Sequence, residues 1–167
     1  ENIDHISTVL QIAQERGRQL LILAPEIRQD ALAMMAANKV KGILTSIPVQ
    51  APGYGEAQES YLEDLAVLVG AIVITEKSGL GLKEVKFEHL GSARKVITDA
   101  KTTTIIDGKG KKKAIQNRIR MVKTQLHDIR NQYLKDDLRS RLGKLTGKVA
   151  VIRVGARQSK PERAGRA

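Results

Sequence analysis

Apolar residues in this chain switch repeatedly between two rhythms, and the switching limits its fold more than any other feature. Ile3, Ile6, Val9, Leu10 and Ala13 recur at helical spacing before Gly17. The run "QLLILA" then reads as a buried strand ended by Pro25. A second stripe of Ala31, Leu32, Met35 and Ala36 stops at Gly42, and "GILTSIPV" reads as another strand. Pro48 near its end marks an edge position or a strand terminus, because proline donates nothing to a ladder. Such alternation mixes helices and strands along the chain.

The rhythm continues downstream. Tyr61, Leu62, Leu65, Ala66 and Val69 form a third helical face, Gly70 stops it, and "AIVITE" is predicted to be a strand. Residues 77 to 92 are turn-rich, with Gly79, Gly81 and Gly91. "ARKVITDA" and "TTTIIDG" read as a hairpin of β-branched strands. Ile115, Ile119, Val122, Leu126 and Ile129 then form a narrow seam, and Leu134, Leu138, Leu142 and Leu145 form a second after a break near Asn131. Matched stripes across a short linker predict an antiparallel helical hairpin lying against the sheet. "KVAVIRVG" closes as a strand, and from Ala156 a polar, basic stretch reads as a linker or frayed tail. No internal repeat is evident.

Composition narrows the function classes. A hydrophobic fraction of 41% supports a real core, which argues against wholesale disorder in these 167 residues. The longest apolar runs, "LLILA" and "AVLVGAIVI", fall well short of the roughly 20 residues of a membrane helix. No secretory pattern opens the chain, and Glu1 in place of Met suggests a processed or trimmed N-terminus. Without cysteine there are no disulfides, thiolate nucleophiles or sulfur metal sites.

Twenty-nine basic against 18 acidic residues give a net charge of +11, which suits an anionic partner such as nucleic acid. Lys109, Lys111, Lys112, Lys113, Arg118, Arg120, Lys123 and Arg130 crowd one segment. Against this, an aromatic fraction of 2% leaves few rings for stacking bases. A solvated basic helix face accounts for the same pattern.

Motifs for catalysis are weak. "APGYGEA" sits between strand and helix, where glycine amides could cradle phosphate, but it lacks the G-x-G-x-x-G spacing and no G-K-[ST] follows. Glu56 puts a carboxylate where phosphate would sit and is better read as a first-turn helix acid. The stretch then reads as a strand-to-helix turn shaped by Pro52 and the glycines, with Tyr54 packed against the protein. "DGKGKKK" has the wrong spacing for a P-loop, so Gly108 and Gly110 read as turn residues. His5, His89 and His127 are scattered, and the adjacent Asp136 and Asp137 diverge on a helix. No catalytic residue, metal site or enzyme activity is expected for this chain.

Six stretches together carry a family likeness. "LLILA", "APGYG", "GSARKVI", "TTTIIDG", "AIQNRI" and "KVAVIRVG" stand in the order seen in GroEL-type group I chaperonins, and from about Ile3 to Gly155 the chain resembles their apical domain. The resemblance implies an α/β module, a β-sandwich flanked by helices of the swivelling β/β/α type, over 1–147, with the domain expected to be truncated at its N-terminus. Residues 148–155 would be the strand entering the intermediate domain, and 156–167 a basic tail outside the family pattern.

It also implies a groove between two helices that takes hydrophobic segments of non-native polypeptides and the mobile loop of a GroES-type co-chaperonin. The positions that match are Ser7 and Leu10 on the first helix, and Leu32, Ala36, Ala37 and Asn38 on the second, with the flexible Met34 beside them. Ser7, Ala36 and Ala37 stand where the family carries larger aliphatics, which predicts weaker or more selective capture of clients. At the hinge, Gly147–Lys148 replaces a glycine pair. In the full-length family, ATP and Mg belong to other segments, so this piece is expected to bind no cofactor and to be a monomer, whereas the whole protein would be a homo-oligomeric ring ATPase. The expected location is a bacterial cytoplasm or an organellar matrix or stroma, with no membrane contact. The rival reading is a nucleic-acid- or ribosome-associated protein that binds through residues 109–130.

Overall fold

The computed structural model describes residues 3–147 and 149–153. Lys148 of the hinge pair, the end of the last predicted strand and the basic tail lie outside the described residues, as does the side chain of His5.

The chain runs α1 (Ile3–Glu15), β1 (Leu20–Ala24), α2 (Gln29–Val40), β2 (Ser46–Gln50), α3 (Gly55–Val69), three short 3-10 turns, β3 (Ala93–Thr98), β4 (Thr102–Gly108), α4 (Lys112–Asp128), α5 (Gln132–Gly147) and β5 (Val149–Arg153). The strands make two small sheets. β1 and β2 pair in parallel, joined by the α2 crossover, and β3, β4 and β5 form an antiparallel sheet with β4 in the centre. Pro48 stands mid-strand opposite Ile22, tolerated because β2 has β1 as its sheet neighbour and no second one among the described residues.

"AIVITE" does not form the predicted strand. Residues 71–75 are irregular, and the Ile72 N–H reaches the His89 carbonyl at 3.0 Å with no ladder continuing from it. A β-rich run becomes a strand only where another strand lies alongside it, and here 3-10 turns over 76–89 occupy that flank.

Two apolar clusters hold the elements together. The larger joins Val49, Tyr61, Leu65 and Leu68 to Ile105, Ile115, Val122, Leu138, Leu145, Ala150 and Ile152. It takes the inward residues of α3, α4 and α5 and of the three-stranded sheet. The two seams of the sequence therefore converge on one core, with α4 packed on α5 across residues 129–131. The smaller cluster gathers Leu10, Ala13, Ala31, Met35 and Leu44, with Leu20 and Ile22 against it. It seats α1 and α2 on the parallel pair.

Charge is also buried in the larger layer. Asp64 of α3 is 5% exposed and meets Arg118 of α4 and Arg141 of α5. Gly108 and Gly110 turn out not to be there for a turn conformation. Both have ordinary φ, but a side chain at Gly108 would strike the Leu68 carbonyl, and one at Gly110 the Val67 carbonyl. The Gly110 N–H donates to the Leu68 carbonyl at 2.9 Å, so this close approach helps cap the end of α3. Gly70 ends that helix with φ +78°.

Candidate functional site

α1 and α2 lie side by side because each buries one stripe in the smaller cluster: Leu10 and Ala13 from α1, Ala31 and Met35 from α2. Their outer faces leave an open groove of about 520 Å³, lined by Ser7, Leu10, Gln11, Gln14, Glu15, Met34 and Asn38. Leu10 is 5% exposed, so it is a core residue that also forms the groove floor. Met34 is half-buried beside the same cluster. Of the two methionines suited to adaptable contacts, Met35 is the buried one, at 2% exposure.

The groove thus gathers Ser7, Leu10, Met34 and Asn38 of the seven residues carried over by the resemblance. Leu32, at 38% exposure, and the exposed Ala36 and Ala37 stand on α2 outside the lining. Gln11, Gln14 and Glu15 line the groove but were not anticipated. Their signal was in the spacing: 7, 11 and 14 step by four and three along one helix face, next to the apolar stripe. The Gln11 amide donates to Glu15 Oε1 at 2.9 Å, which holds the two side chains along the rim.

The lining is chemically mixed. Leu10 and Met34 offer apolar area, while the amides of Gln11, Gln14 and Asn38 can both donate and accept hydrogen bonds. Such a surface can cover an apolar side chain while bonding to an extended backbone.

The loop "APGYGEA" closes on itself. The Gln58 amide donates to the Ala51 carbonyl at 2.9 Å and the Gly53 carbonyl at 2.8 Å, and Glu56 lies in the first turn of α3. Tyr54 is 89% exposed, contrary to its expected role as a packed turn residue. His89 accepts at Nδ1 from the Lys86 N–H at 3.1 Å and so belongs to its own turn. Among the described residues, no group of acidic or histidine side chains could hold a metal ion, and no helix is long and apolar enough to cross a membrane.

No family model matches the chain. Among solved structures, the fold is similar to a crystal structure of the chaperonin gp146 from the bacteriophage EL 2 (Pseudomonas aeruginosa) in the presence of ATP-BeFx. The TM-score is 0.54 at 14% sequence identity, over 89% of this chain and 30% of that one. The fold is therefore chaperonin-like, a mixed α/β arrangement of five helices and small sheets, and the chain spans about a third of the chaperonin it matches.

Proposed function

We propose that this chain is the polypeptide-binding apical module of a ring chaperonin, capturing exposed apolar segments of non-native proteins in the groove between α1 and α2. The observation that carries the reading is the groove itself. The helix pair presents Met34 over a floor formed by the buried Leu10, between polar rims, on a chaperonin-like fold. Covering apolar area contributes roughly 25 cal/mol per Å², and a methionine adapts to varied partners. The same groove would take the mobile loop of a co-chaperonin lid. The β-sandwich organisation, the hairpin of α4 and α5, the homo-oligomeric ring and its ATPase belong to the same proposal, with no catalysis by this piece and a cytoplasmic or organellar setting.

The test uses the 167-residue chain and a fluorescently labelled, reduced and carboxymethylated lactalbumin as a permanently unfolded client. Met34→Glu should weaken binding at least five-fold. Ser7→Leu, which adds apolar area to the lining, should tighten it by roughly as much, if about 40 Å² more is covered. Equal affinity of both variants and wild type, with unchanged folding, would discard the groove as the client site.

A further inference from the structure

α4 carries a second surface that the proposed chaperone role does not use. Its inward face is set by Ile115, Val122 and the ion-paired Arg118. Turning away from that face at 100° per residue, Lys113, Gln116, Arg120, Lys123 and His127 follow one another by three, four, three and four, and all are exposed. Lys112 flanks the line. At 1.5 Å per residue the stripe is about 21 Å long.

Two observations separate this stripe from an ordinary solvated helix face. Such faces usually interleave both signs of charge, but the first turn of α4 holds no acid, and its cations lie against the helix dipole. Among the described residues, moreover, no carboxylate lies within ion-pair range of Lys112, Lys113, Arg120 or Lys123. By contrast Arg118, on the inward side of the same helix, is paired twice. The stripe thus sets three uncompensated cations, Lys113, Arg120 and Lys123, along one helix face, with the neutral Gln116 between them and His127 3.4 Å from Asp128 at the far end.

We infer that this stripe is a docking surface for the phosphate backbone of double-helical nucleic acid, bound without regard to sequence. Its length and regular spacing suit a line of phosphates along one strand of a duplex. None of its positions carries Phe, Tyr or Trp, which disfavours single strands, whose binding relies on stacking. α4 packs in the larger cluster and the groove helices in the smaller, so the two surfaces rest on different cores.

The test is fluorescence anisotropy of a labelled 20-base-pair DNA duplex of arbitrary sequence, with a 20-nucleotide single strand in parallel, from 50 to 200 mM NaCl. Wild type is compared with Lys113→Gln/Arg120→Gln/Lys123→Gln and with a control of equal charge loss elsewhere, Lys83→Gln/Lys95→Gln/Lys101→Gln. Duplex binding should fall about forty-fold over that salt range for three phosphate contacts, and the slope should drop by about three in the stripe variant alone. The single strand should bind more weakly than the duplex. The inference is overturned if the duplex does not bind at 50 mM NaCl, or if the stripe variant binds like the control, which would assign the affinity to the basic tail or to net charge. Stronger binding of the single strand also overturns it. Circular dichroism of both variants confirms that they are folded.

Discussion

Arg141 on α5 grips the Asp64 carboxylate on α3 with two hydrogen bonds, Nε to Oδ2 at 2.6 Å and Nη2 to Oδ1 at 3.1 Å. From the other side, Arg118 on α4 donates from Nε to Oδ1 at 2.6 Å and from Nη2 to the Ser60 carbonyl at 3.2 Å. One carboxylate therefore ties three helices together, with both guanidinium groups largely out of water.

Removing that carboxylate should be costly. Asp64→Asn leaves two arginines buried against a neutral amide, and breaking a buried pair from one side typically costs about 3–5 kcal/mol. Urea unfolding should show a stability lower by that amount, with the midpoint shifted and the slope unchanged. Asp136→Asn, which breaks an exposed pair with Arg139, should lower stability by less than about 1 kcal/mol. Similar midpoints for the two variants would refute the assignment.

Tyr61 predicts an alkaline signature. Burial, and secondarily the Asp64 charge, push its hydroxyl up from 10.0 to about 12. The unfolded chain then loses this proton first, so between pH 10 and about 12 the folded state holds more protons and stability falls as pH rises. The hydroxyl is buried and has no hydrogen-bond partner among the described residues. Tyr61→Phe should therefore match or exceed wild-type stability at pH 7 and lose less of it above pH 10. Phenolate absorbance of a Tyr54→Phe/Tyr133→Phe background isolates the group, and a midpoint near 10 would contradict its burial.

Two glycines should respond oppositely to alanine. At Gly110 the new methyl meets the Val67 carbonyl, and the backbone must move, at a cost of about 2 kcal/mol. Gly143 lies inside α5 with nothing within 4 Å of where the methyl would stand, so alanine should stabilise by about 0.5–1 kcal/mol through helix propensity. Thermal melts of the two single variants check both signs.

Leu10 and Met34 should separate folding from binding. Leu10→Ala empties part of the smaller cluster and should cost about 3 kcal/mol. Met34→Ala, at a half-buried site, should cost much less while still weakening client capture. Unfolding that is equally severe in both would mean that Met34 too is core.

Much of this was legible in the chain. Helical spacing located α1 to α5, β-branched runs located β3 and β4, and the seams of α4 and α5 pack into one core except for Leu134, which is exposed. Three readings failed for one physical reason. "AIVITE" has strand composition but no neighbour to pair with, Tyr54 has an aromatic ring but stays exposed, and Gly108 and Gly110 are small because α3 passes close by. Each depends on what the rest of the chain brings alongside, which local pattern does not encode.

The candidate groove divides in the same way. Periodicity by itself determined that α1 and α2 each have an apolar stripe, and composition determined the excess of positive charge. Only the tertiary structure decided that Leu10 faces core and groove at once, that Leu32, Ala36 and Ala37 stand outside the lining, and that the basic residues of α4 divide between a paired Arg118 and Lys113, Arg120 and Lys123 with no carboxylate in range among the described residues. The reason is that burial and ion pairing are properties of two surfaces in contact. A sequence specifies each surface, but the angle and depth at which the surfaces meet come from packing the whole chain.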